Sequence, residues 1–248
     1  LELDTHAGTR IIRVEKSRLL DDDTLFMGIV TIAGDITDFV MRQRQKDELG
    51  RKTITILVHI MENNDPYLAG HSHRMGDLSN SVAKIMELPP EVRQTIATGA
   101  NLSQIGKISI PQEIRTKESR LTDDEKIVMQ GHIGKAASLL FDMEIDEAIV
   151  TAVTQMYERQ DGSGYPMQLS GKEIDLSARI LGITDILVAR VSPRSYRQAI
   201  SVEEAMEVFR TNPEKYDVDV VVALDAFLNT NDGRKFKDSV TESAKSRK

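Results

Sequence analysis

Between residues 66 and 228 the apolar side chains recur every three or four positions and nowhere alternate, so this stretch is expected to be helical and not part of a sheet. Met75, Leu78, Val82 and Ile85 share one face of a helix expected over 71–88. Pro90 follows at a position where a first-turn proline starts the next helix. Thr122 and Glu125 have capping-box spacing ahead of Ile127 and Val128, and Ser201 and Glu204 repeat it ahead of Ala205, Val208 and Phe209. Ile149, Ala152, Val153 and Met156 form another stripe, 178–191 another helix, and "DVDVVVALDAFL" closes the series. Aromatic residues make up only 4% of the chain and Trp is absent, while there are 10 Met, so the core is expected to be aliphatic and filled by methionine. The expected fold class is mainly α.

The first 40 residues behave differently. "TRIIRVEKSRLL" and "LFMGIVTIAGDIT" alternate around the acidic turn "DDDT", as the two arms of a β-hairpin do. Two readings are open: a hairpin of the same domain, or the last strands of a PAS sensor domain, which "GIVTIAGDIT" resembles. From Thr37 onward the period becomes helical, polar at first and then apolar at Ile56, Leu57, Ile60 and Met61, as in a linker helix that pairs with a twin across a homodimer. The expected organisation is PAS-like strands over 1–40, a linker helix over 41–64, the main domain over 65–229 and a loose polar tail over 230–248.

Other properties exclude function classes. With no Cys, the chain offers no disulfide framework, zinc-thiolate site or thiol nucleophile, and fits a reducing, cytoplasmic setting. A formal charge of −7 gives no pull toward a nucleic-acid polymer or anionic lipid. No apolar run approaches the roughly 18 residues of a membrane span, and no signal peptide is recognisable. The chain begins at Leu1 and reads as a piece of a longer sensor protein, which itself could be membrane-anchored.

Six segments, in order, carry a resemblance: "DPYLAGHSHRM", "SQIGKISIPQEI", "RLTDDEKIVMQGH", "YERQDGSGYPMQLSGKEIDLSARILGITDIL", "PRSYRQA" and "YDVDVVVAL". Together they resemble the HD-GYP family, the cyclic di-GMP phosphodiesterase branch of the HD phosphohydrolases. The resemblance implies a helical bundle in which family members hold two or three iron- or manganese-type ions. These ions lower the pKa of a bridging water and aim it at a phosphodiester.

Carried over position by position, the resemblance places His71, His132 and Asp185 where the family has metal ligands. Each also has a plainer reading: His71 as a helix cap, His132 as a core histidine with a local hydrogen bond, Asp185 as a partner of Arg179 or Arg190. The His-Asp pair that names the family is replaced by Ser103 and Gln104, and the later His pair by Met156 and Tyr157. Hydroxyl, amide and thioether groups are poor ligands for these hard ions, and a phenol with pKa near 10 is protonated at neutral pH. The expectation is therefore no catalytic residues, no metal and no cofactor.

Retained are Lys107 and the basic pair Arg194 and Arg197, which the resemblance implies are phosphate contacts; a solvated basic loop is the plainer reading. The loop Asp161, Gly162, Ser163, Gly164, Tyr165, Pro166 is also intact. Its two glycines permit positive φ, Asp161 caps the turn and Pro166 sets the exit. In the family this loop borders the substrate cleft and is implicated in docking to GGDEF-type cyclases. The expected function is a regulatory module of cyclic di-GMP signalling, impaired or inactive as an enzyme, acting through nucleotide binding or protein contacts. A weakly active phosphodiesterase using the residual ligands is the alternative, and a purely structural dimerisation unit is a third reading.

Overall fold

The computed structural model describes residues 1–6, 8–20, 24–64, 70–193 and 199–245. The chain divides into two compact units, Leu1–Ile54 and Thr55–Lys248.

In the first unit, strands β1 (Glu2–Thr5), β2 (Gly8–Leu20) and β3 (Phe26–Asp35) form an antiparallel sheet in that order. The expected hairpin is β2–β3, with Val14 opposite Ala33 and Ser17 opposite Val30. Strand β1 was too short to announce itself by alternation. At the end of β3, Asp35 accepts hydrogen bonds from the Thr37 amide and hydroxyl, and the Thr37 hydroxyl in turn accepts the Ile11 amide at 2.8 Å. These bonds close the strand and start helix α1 (Thr37–Asn64), where a helix was expected over 41–64.

The second unit is helical. Helices α2 (His71–Ile85), α3 (Pro90–Leu102), α4 (Gln112–Arg115), α5 (Asp123–Gln130), α6 (His132–Asp142) and α7 (Glu147–Gln155) lead to α8 (Leu176–Val191). After it come α9 (Val202–Arg210), α10 (Val218–Leu228) and α11 (Asn231–Lys245). A 3-10 turn, Ile105–Ser109, joins α3 to α4. Both capping boxes form, with the Glu125 amide donating to the Thr122 hydroxyl and the Glu204 amide to that of Ser201.

The most buried helix is α8, which packs against α2, α3 and α7. Met75, Leu78 and Val82 point into the core with Leu181, Leu187 and Phe209. Ile85, expected on the same face, is 43% exposed, because α2 ends there and its chain turns away. The segment expected as a loose tail is helix α11. Phe236 and Val240, four residues apart, lie against the core, and Lys237 bridges to Glu203 of α9 at 3.0 Å. A single i, i+4 apolar pair in a polar run is enough to seat a helix when a bundle face is waiting for it. Residues 246–248 lie outside the described residues.

Candidate functional site

Four of the expected positions meet where α2, α3 and α8 converge. His71, in the first turn of α2, places Nε2 2.8 Å from Asp185 Oδ1 on α8. Only the imidazole can donate in that bond. Gln104, in the turn after α3, donates from Nε2 to the same oxygen at 3.3 Å and to the Ser103 hydroxyl at 3.2 Å. Ser103 donates to the Ala100 carbonyl at 2.8 Å. His71 does not cap its helix; Gly70 occupies the cap position. Asp185 reaches His71, and Arg179 pairs with Asp217, so of the two plainer partners weighed for Asp185, Arg179 is engaged elsewhere.

A second group lies around His132, the first residue of α6. Its Nδ1 donates to the Met129 carbonyl at 2.5 Å, which leaves Nε2 as an acceptor, buried and without a hydrogen-bond partner. The Tyr157 ring meets His132 edge-on at 5.2 Å and stacks on Tyr165 at 5.3 Å. Burial pushes the Tyr165 phenol up to about 12, so it stays protonated. Met156 belongs to the aliphatic core.

Burial, with the Lys107 charge adding to it, pushes His132 down from 6.5 to about 4. A folded pKa below the unfolded one means that the unfolded chain takes the proton first. Stability is therefore full above about pH 6.5 and is lost as pH falls toward about 4, by up to about 3 kcal/mol. Urea denaturation across this window should show that loss, and His132→Gln should flatten it. Equal slopes in the two proteins would contradict it.

The loop after α7 owes its shape to a residue that sequence reasoning missed. Glu158, 5% exposed, accepts the amides of Met167 at 2.6 Å and Leu169 at 3.0 Å. Asp161 caps the turn as expected, accepting the Ser163 amide at 2.9 Å. Gly162 takes the expected positive φ, at +76°. Gly164 does not; it is required because a Cβ there would lie 2.4 Å from the Glu158 Cα and the Arg159 amide nitrogen. The Tyr165–Pro166 peptide is cis.

Asp185, His132, Tyr157 and Tyr165 line a cavity of about 330 Å³ together with Lys107. Arg115, Lys117 and Arg120, also missed, complete its basic side; the only sequence signal is their clustering in "RTKESR". Lys117 is held by Glu125, at 2.6 and 2.7 Å to the two oxygens. Arg194 and Arg197 lie outside the described residues.

The donor set does not fit the ions of a phosphohydrolase centre. Among the described residues no three His, Asp or Glu side chains gather closely enough to hold a metal ion. The positions beside the His71–Asp185 pair offer a hydroxyl and an amide, neutral groups that bind hard divalent ions poorly.

Residues 55–220 match the family model described as HD domain. The "Cyclic di-GMP phosphodiesterase response regulator RpfG" of Xanthomonas campestris is 33% identical over 162 residues, covering 64% of this chain and 43% of that protein. A "Probable cyclic di-GMP phosphodiesterase" of Vibrio cholerae is 30% identical over 213 residues, covering 77% of this chain and 47% of that protein. The chain thus spans less than half the length of either relative. Among solved structures, an HDG"Y"P protein from Bdellovibrio bacteriovorus has a TM-score of 0.55 at 18% identity, covering 64% of this chain and 52% of that one, which is a likeness of fold.

Proposed function

The chain belongs to the HD domain family, and from that premise we propose that it is a hydrolytically impaired HD-GYP module that regulates cyclic di-GMP signalling through nucleotide binding or protein contacts. The observation that carries the reading is the content of the former ligand positions. Ser103 and Gln104 are fully buried and hydrogen-bonded, and Tyr157 stands against His132 as a packed ring. Losing a partner that merely supports a metal ligand costs about 10–100-fold in affinity or activity. Losing the ligands themselves costs more.

In this reading the first unit is the end of a PAS-like sensor and α1 is the linker that passes its signal on in a cytoplasmic homodimer. A shift or rotation of a helix pair is the simplest device for that. No helix among the described residues is long and apolar enough to cross a membrane. The partner class is a GGDEF-type cyclase, met through the intact loop of Asp161 to Pro166.

Purification without chelator in the presence of manganese or iron, followed by metal analysis and a cyclic di-GMP hydrolysis assay, tests the proposal. Substoichiometric metal and no turnover are expected. Stoichiometric metal with turnover would replace the proposal with the weak phosphodiesterase, which the names of the relatives favour.

A further inference from the structure

We infer that the cavity takes the phosphomonoester end of a single nucleotide in preference to an intact cyclic dinucleotide. The inference rests on the nucleotide-binding form of the proposed function and specifies its ligand.

Charge is the first argument. Cationic side chains that line the cavity offer recognition of phosphate. Lys107, Arg115 and Arg120 line the cavity, and Lys117 joins them with its charge already matched by Glu125; the facing carboxylate is Asp185. A phosphodiester carries one negative charge, while a phosphomonoester carries between one and a half and two at neutral pH, its second pKa being about 6. The monoester also presents three terminal oxygens, which suit the guanidinium fork.

Shape is the second argument. The basic groups sit on one continuous run, from the 3-10 turn through α4 to the segment before α5. The stacked rings of Tyr157 and Tyr165 line the same cavity. A ligand with an anionic end and a planar ring matches that pairing, because aromatic faces hold bases by stacking. At about 330 Å³ the space lies at the small end of the range of about 300–1,000 Å³ for ligand pockets, which seats the terminal nucleotide of a ligand. The reaction class that supplies such a ligand is hydrolysis of a cyclic phosphodiester. Water adds across one P–O bond, leaving a hydroxyl and a terminal phosphomonoester on a linear dinucleotide, and a second such hydrolysis releases single nucleotides.

Isothermal titration of the 248-residue chain with three probes tests this: guanosine 5′-monophosphate, linear diguanylate with a terminal phosphate, and cyclic di-GMP. At about pH 7.5 both monoester probes should bind at least about tenfold more tightly than the cyclic one, and the margin should shrink near pH 5 as the monoester loses charge. Arg115→Gln with Arg120→Gln should erase the preference with the circular dichroism unchanged. Should the pair fail to fold, Arg120→Gln alone, at an exposed position, should still reduce it. Cyclic di-GMP binding as tightly as the monoesters, or a preference that survives these substitutions, would overturn the inference and leave the nucleotide-binding reading intact. No binding by any of the three would remove both, leaving protein contact.

Discussion

Ser103→His, Gln104→Asp, Met156→His and Tyr157→His, introduced together, are expected to give a chain that carries about two metal ions and hydrolyses cyclic di-GMP more than about 100-fold faster than the natural sequence. The geometry supports the expectation at both ends of the site. The side chain at position 104 already touches Asp185 at 3.3 Å, and Asp185 touches His71 at 2.8 Å, so a carboxylate there would stand beside both. The side chain at position 157 already packs on the His132 ring at 5.2 Å, so an imidazole there would stand beside that histidine. Removing the phenol also dissolves the stack on Tyr165. Metal analysis and a turnover assay on the folded variant read the result. A variant with native circular dichroism and no metal would mean that the helices no longer hold the family's ligand geometry.

Gly106→Ala is expected to destabilise the second unit by about 3 kcal/mol, a fall in melting temperature of roughly 6–12 °C for a domain of this size. Gly106 lies in the 3-10 turn that rests on the start of α6. A Cβ there would stand 1.9 Å from the His132 carbonyl oxygen and 2.8 Å from the Ala136 amide nitrogen. Both are backbone atoms of a helix and cannot swing aside. Gly134→Ala, also in α6 but with nothing within 4 Å of the new methyl, is the control. It should be neutral or slightly stabilising, since alanine favours a helix by up to about 1 kcal/mol. Melting curves decide it; a Gly106→Ala protein that melts with the parent would show that the close approach is absent. The same contact ties Lys107 and His132 to one wall of the cavity, so a loss of stability here should travel with a loss of ligand binding.

Much of the architecture was legible from residues close together in the chain. The Thr122–Glu125 and Ser201–Glu204 boxes and the β2–β3 hairpin depend on side chains and backbone a few positions apart, or on simple alternation. Their geometry follows from chain spacing. The family was legible for a related reason, since an ordered set of motifs survives in sequence whatever the packing. Helix α11 was missed because a single apolar pair, Phe236 and Val240, outweighed a polar composition only once a bundle face stood opposite it.

The sequence by itself determined the helical class and the order of the motifs, because these follow from local periodicity and residue chemistry. Tertiary structure alone decided which groups meet. His71 and Asp185 are 114 residues apart, yet bonded. Glu158 proved to be the anchor of the loop, Gly164 a point of contact, and "RTKESR" the source of basic groups that line one cavity with two stacked tyrosines. Such meetings depend on how helices pack over long separations, where burial and close approach choose among many arrangements that local spacing allows equally well.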